Sequence, residues 1–105
     1  MAFQIGAGLL DACVLAVLSR GEAYGYILTQ DIKGVLDVSE STLYPVLRRL
    51  QKDDMLSSDD RPFAGRNRRY YALTEKGAEA LAGYLDEWKL YKDSVDRVLL
   101  GGEGA

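Results

Sequence analysis

Four side chains in one short stretch could do recognisable chemistry. In Ser39–Asp54, SESTLYPVLRRLQKDD, Ser41, Tyr44, Arg48 and Lys52 recur every three or four residues, so on a helix they share one face. They are a hydroxyl, a phenol, a guanidinium and an ammonium. Hydroxyl and phenol groups reach base edges and backbone oxygens, while the cations pair with phosphates. Thr42, beside Ser41, adds a second hydroxyl near the start of the same helix. Leu43, Val46, Leu47 and Leu50 fall on the opposite stripe and would anchor the helix in a core. Ser39 is placed to be the N-cap, and Glu40 follows in the first turn, where the helix dipole favours it. The stretch reads as a helix that presents a nucleic-acid-binding surface. Pro45 falls in its second turn and deletes a backbone donor. The resulting kink is either tolerated on an exposed face or tilts Ser41 and Thr42 towards a groove.

The neighbouring segments must position that helix. Leu9–Leu18 is apolar except at Asp11. It reads as a helix buried on all sides, with a buried strand as the competing reading, and Arg20-Gly21 ends it. Ala23–Val35 is a second helix, with Tyr24, Ile27, Leu28, Ile32 and Val35 at helical spacing. So few residues separate it from Ser39 that the pair forms a helix-turn-helix. Downstream, Met55–Ser58 and Arg68–Leu73 read as strands on either side of a polar loop, Asp59–Asn67, broken by Pro62 and Gly65. This is a β-hairpin wing. Arg66, Arg68 and Arg69, at its tip and on its returning arm, are expected to contact phosphate or the minor groove, although Asp59 and Asp60 oppose them.

Thr74 can cap a last helix from about Glu75 to Leu100. Leu81, Leu85, Trp88, Val95 and Leu99 lie at alternating four- and three-residue steps, the seam of a helix pair, which Lys92 breaks. Tyr84, Tyr91 and Val98 run alongside at seven-residue intervals. Leu90, on the polar face, has no explanation. Such a helix is about 37 Å long, more than a globule with a radius of gyration near 13 Å covers. It is therefore expected to project and bury Leu81, Tyr84, Leu85, Trp88, Tyr91, Val95 and Leu99 in a homodimer. The expected fold is mainly α with a small β-hairpin: a winged helix-turn-helix over residues 1–73, a dimerisation helix over 74–100 and a flexible tail over 101–105.

Composition excludes much else. Apolar content of 48% and charged content of 28% fit a globular chain rather than a disordered one. The longest apolar run is far short of the ~20 residues of a membrane span, and the N-terminus lacks a signal-peptide pattern. One cysteine permits no intramolecular disulfide and fits a reducing cytoplasm. Cys13 sits in the most apolar stretch and reads as a small buried hydrophobe. The absence of histidine excludes His-based catalysis and Cys/His zinc sites, so neither an enzyme nor a cofactor is expected. The formal net charge of −3 argues against a nucleic-acid partner until it is divided. Residues 41–76 hold eight basic and five acidic side chains, and the rest of the chain five basic and eleven acidic. Local sign governs a partner within a Debye length, about 8 Å.

Taken together, these residues resemble the PadR family of bacterial transcriptional regulators. The resemblance rests on Ser41-Thr42-Leu43-Tyr44-Pro45 with Leu47-Arg48-Arg49-Leu50, then Arg68-Arg69-Tyr70-Tyr71, then Leu73-Thr74-Glu75-Lys76-Gly77, with Tyr24-Gly25-Tyr26 in support. It spans about residues 9–100. It implies a winged helix-turn-helix, a dimer made by the C-terminal helix as in the compact subfamily, and repression of nearby promoters from double-stranded DNA. At the wing tip, Ala64-Gly65-Arg66-Asn67 departs from the family's more glycine-rich, basic pattern. Some drug-responsive relatives hold a planar aromatic effector between paired tryptophans. Trp88 corresponds in position, with Asp11 and Tyr91 as neighbours of such a pore; the other reading is that Trp88 only fills the dimer interface. The other functional class is a winged-helix protein–protein module without DNA binding.

Overall fold

The computed structural model describes residues 6–101; residues 1–5 and 102–105, with nearly all of the expected tail, lie outside the described residues. The most buried element is α1, Ala7–Leu18. Leu10, Val14, Leu15 and Leu18 are each at most 3% exposed. The helix touches α2, Gly25–Leu36, α3, Glu40–Lys52, strand β3, Arg66–Leu73, and α4, Glu75–Leu100. Neighbours on several sides explain why its apolar residues form no single stripe. The helical reading of this segment is right, and the buried-strand alternative is not.

The second helix starts later than its periodicity suggests. Ala23 and Tyr24 form a short strand, β1, antiparallel to Tyr71 and Tyr70 of β3. Helix α2 begins at Gly25, where a Cβ would stand 3.0 Å from the Tyr71 ring. A methyl group there would press on the ring, and the absence of one lets the sheet approach closely. Asp37 closes α2 in the left-handed region at φ 55°, and after Val38 and Ser39 helix α3 begins. It runs unbroken through Pro45 and buries Leu43, Val46, Leu47 and Leu50.

The wing is longer and more regular than a polar loop between two short strands. Strand β2, Leu56–Phe63, pairs antiparallel with β3 from Leu56↔Leu73 to Phe63↔Arg66. Only Ala64 and Gly65 form the turn, at φ 50° and 79°. Positive φ at both positions matches the twist of a two-residue hairpin. The expected loop, Asp59–Asn67, is mostly strand because its polar residues find partners, Asp60 with Arg69 across the ladder and Arg61 with Asp59 and Glu22. Pro62 is tolerated because the order β1-β3-β2 leaves β2 on the sheet edge.

Helix α4 is fastened where the wing returns. The Thr74 hydroxyl accepts from the Gly77 N–H at 3.0 Å and donates to the Asp54 carbonyl at 2.6 Å. The Thr74 N–H donates to the Met55 carbonyl at 3.2 Å. A Cβ on Gly77 would collide with that same carbonyl. This gives a physical basis for the Leu73-Thr74-Glu75-Lys76-Gly77 motif: it stitches α4 to the chain just after α3. Leu81 is buried and Tyr84 packs on the core, but α4 continues well beyond them. The chain measures 57 × 30 × 20 Å with a radius of gyration of 15.7 Å, above the ~13 Å of a compact domain this size.

Two substitutions test this framework by urea unfolding. Gly77→Ala should destabilise by about 2 kcal/mol or more, since backbone must move to accept the methyl group. Ala64→Asn should stabilise by about 0.5–1 kcal/mol, because asparagine tolerates the left-handed region better than alanine.

Candidate nucleic-acid interface

The exposed face of α3 is organised from its N-cap. The Ser39 hydroxyl accepts from the Thr42 N–H at 3.2 Å and lies 2.9 Å from the Ser41 hydroxyl and 3.0 Å from that of Thr42. Three hydroxyls thus gather at the electropositive end of the helix, where unpaired backbone N–H groups favour an anion. Glu40, in the same turn, is engaged by α2: it accepts from Gln30 Nε2 at 2.5 Å and lies 4.0 Å from Lys33 Nζ. Ser41, Thr42, Pro45, Arg48 and Lys52 are exposed. Among the described residues, Arg48 and Lys52 enter no ion pair. Tyr44 is half-buried and packs against the core, so it is less available than its place in the sequence pattern suggests.

Arg49 points differently from its neighbour. Its guanidinium makes a bidentate pair with Asp11 of α1, Nη1 to Oδ2 at 2.9 Å and Nη2 to Oδ1 at 2.5 Å. Asp11 is 6% exposed, and its carboxylate raises the Arg49 pKa above the usual guanidinium value. The one charge in the apolar first helix is thereby matched, and α3 is pinned to α1 near its C-terminal end.

The wing arginines are unequally engaged. Arg66, beside the turn, is exposed and enters no ion pair among the described residues. Arg68 stacks over Phe63 at 3.6 Å and over Tyr24 at 4.6 Å from the ring centroids. Arg69 pairs with Asp60, Nε to Oδ1 at 3.0 Å. Arg61 forks onto Glu22 at 2.8 and 2.9 Å, contacts Asp59 at 2.8 Å and covers the Tyr70 ring at 4.2 Å. The guanidinium of Arg61 holds the Glu22 carboxyl below the usual carboxylate range, and that of Arg69 does the same for Asp60. The sequence offered no sign of the Glu22–Arg61 pair, whose members are 39 residues apart; the Asp60–Arg69 pair becomes visible once the two-residue turn sets the register.

The residues singled out on α4 divide along its length. Leu81 is buried, Tyr84 and Val95 are half-buried, and Leu85, Trp88, Tyr91 and Leu99 are exposed, as are Leu90, Val98 and Leu100. Trp88 and Tyr91 have ring centroids 6.5 Å apart. With Tyr84, Glu87 and the α1 residues Gly8, Leu9 and Ala12 they line a cavity of about 230 Å³. Asp11 is not among its lining residues; it faces Arg49. A broader groove of about 850 Å³ lies between α1, α2 and the sheet, bordered by Val17, Ile27, Val35, Arg68 and Tyr70. Cys13 lines it, and burial pushes its thiol pKa up. Among the described residues there is no group of three or more side chains suited to hold a metal ion, and no helix is long and apolar enough to cross a membrane.

Comparison with known proteins agrees with this geometry. The sequence profile of the "Transcriptional regulator PadR-like family" matches residues 14–83. Transcriptional regulator Rv3488 of Mycobacterium tuberculosis is 39% identical over 91 residues, covering 86% of this chain and 81% of its own. The crystal structure of smu.1704 from Streptococcus mutans superposes with a TM-score of 0.87 at 37% identity, covering 98% of this chain and 97% of that one. A PadR family transcription regulator from Clostridium difficile superposes with a TM-score of 0.77 at 25% identity, over 86% and 97% of the two chains.

The Asp11–Arg49 pair makes a stability prediction. Arg49→Met leaves a buried carboxylate without its partner and should cost about 2–3 kcal/mol, less than for a fully buried pair because the arginine is half exposed. Adding Asp11→Leu should recover most of that loss in the same urea titration.

Proposed function

The chain belongs to the PadR-like family of transcriptional regulators, which bind DNA and are not enzymes, and on that premise we propose that it is a ligand-responsive repressor acting as a homodimer on a pseudo-palindromic operator. The observation that carries this reading is the exposed face of α3. It joins three hydroxyls at a helix N-terminus to two cations, Arg48 and Lys52, that no carboxylate neutralises among the described residues. In the proposed complex α3 enters the major groove, Ser41 and Thr42 approach base edges, and Ser39, Arg48 and Lys52 contact phosphates. Tyr44 contributes from its half-buried position at the margin. The wing tip reaches the flanking backbone or minor groove through Arg66, with Arg68 and Arg69 behind it.

The apolar surface of α4 supports the dimer. Leu85, Trp88, Tyr91 and Leu99 are too large and too contiguous a set to leave in water without a partner. Two-fold symmetry then sets two α3 helices on one side of the duplex, on half-sites about 10 bp apart. The cavity beside Trp88 and Tyr91 supports a planar aromatic effector, with the second protomer supplying the opposite wall. The neutralised wing arginines, Arg61 and Arg69, are the one observation favouring the alternative, a winged-helix protein–protein module that does not bind DNA.

Selection of bound sequences from random DNA at two salt concentrations separates these readings. A repressor should yield a two-fold symmetric site, whereas an adaptor should yield no enrichment at either concentration. On the selected site, Arg48→Ala should weaken binding on specific and non-specific DNA alike and reduce the salt slope by about 1. Trp88 is the only tryptophan, so planar drugs that enter its cavity should quench its fluorescence saturably. Flat titrations across a chemically diverse panel would leave Trp88 as an interface residue alone.

A further inference from the structure

The wing carries four arginines, Arg61, Arg66, Arg68 and Arg69, yet two of them are already held by carboxylates. Glu22 comes from the turn between α1 and β1 and takes Arg61 in a two-pronged pair, which Asp59 reinforces. Asp60 takes Arg69 directly across the ladder. Both pairs are open to water: the side chains of Arg61 and Arg69 are 41% and 54% exposed, and those of Glu22 and Asp60 are 50% and 45% exposed. Exposed pairs of this kind are weak and screened by salt, so a phosphate can compete for the same guanidinium. Arg61 lies opposite Arg68, and Arg69 lies three residues from Arg66. At about 3.3 Å per residue, both are within roughly 10 Å of the tip along the hairpin. Strand alternation sets Arg61 on the face shared with Arg66, Arg68 and Tyr70 and Arg69 on the opposite face, so a groove that receives the wing tip meets one of them on each wall.

We infer that Glu22 and Asp60 are specificity-determining residues for DNA, withholding Arg61 and Arg69 from phosphate. The physical basis is a difference between two kinds of contact. Phosphate contacts add affinity on every sequence, whereas the α3 hydroxyls and base edges discriminate. A wing with four available arginines would strengthen binding everywhere and lower the ratio of specific to non-specific affinity. Carboxylate clamps keep the wing's sequence-independent contribution to its tip. They also give the acids of the wing, which otherwise argue against DNA binding, a function within it. The depressed pKa values of both carboxyls keep the clamps charged throughout the neutral range.

This inference rests on the DNA-binding reading, and one set of salt titrations distinguishes failure of either. The unaltered chain, a Glu22→Gln/Asp59→Asn variant that removes both carboxylates from Arg61, Asp60→Asn and the triple variant are titrated on non-specific duplex DNA and on a selected site across a range of salt. The triple variant should bind non-specific DNA roughly tenfold more tightly at low salt, with a slope steeper by up to about 1.8 for two added phosphate contacts. Its gain on the selected site should be smaller. Adding Arg61→Ala to Glu22→Gln/Asp59→Asn should abolish that variant's gain, which separates a released arginine from the mere loss of a repelling charge. If the unaltered chain binds DNA and the variants keep its slope, the clamp is wrong while the DNA reading stands. If the variants bind more weakly, the carboxylates position the wing and the inference is overturned. If neither the chain nor the variants form a salt-sensitive complex, the DNA-binding reading has failed, and the clamp with it.

Discussion

The structure depends on how the C-terminal end of α3 is held. Arg49 fastens the helix to α1 through the buried Asp11 carboxylate. A few residues later the Asp54 and Met55 carbonyls receive the Thr74 hydroxyl and backbone N–H, while Gly77 lets α4 pass close over Met55. The exposed face of α3 is thus referenced to α1 on one side and α4 on the other. Those two helices also form the walls of the cavity at Trp88. Any change in the spacing between α1 and α4 has a short mechanical path to the helix proposed to read DNA. A rigid anchor rather than a flexible linker also explains how a dimer made along α4 could hold two α3 helices at a set separation.

Charge is arranged with the same economy. A net charge of −3 would repel a polyanion if it were spread evenly. Instead Arg48, Lys52 and Arg66 carry no carboxylate partner among the described residues, whereas Arg49, Arg61 and Arg69 are paired. These three lie on the exposed face of α3 and at the wing tip. Of the paired three, Arg49 is tied to the buried Asp11 of the scaffold and the other two are set back along the hairpin. Total charge therefore says little about the partner, and the distribution says much.

The elements that sequence pattern reveals are those whose signal is local. The apolar stripe Leu43, Val46, Leu47 and Leu50, the Ser39 and Thr74 caps and the long α4 follow from periodicity and capping chemistry, and the structure contains each of them. Harder to see are features that depend on residues distant in the chain. Ala23 and Tyr24 fit a helix by spacing, but pairing with Tyr71 and Tyr70 draws them into a strand. Asp59–Asn67 has the composition of a loop, but a full antiparallel ladder makes it the end of a hairpin. Asp11 and Arg49 each look accessible alone, one as a pore residue and the other as part of a basic helix. Their pairing across 38 residues turns Asp11 towards Arg49 and is invisible in either residue's own stretch of chain. Tyr44 shares the outer stripe by angle, yet its ring is large enough to turn back onto the core.

In the proposed repressor, two copies of α3 are presented together to one face of a duplex. Hydroxyl-radical footprinting on a selected site measures that arrangement directly. Two equivalent protected patches are expected on the same face of the DNA, related by a two-fold axis and about 10 bp apart, with weaker protection outside each where the wings reach. A single asymmetric patch, or no protection at a concentration where the chain is dimeric, would contradict it.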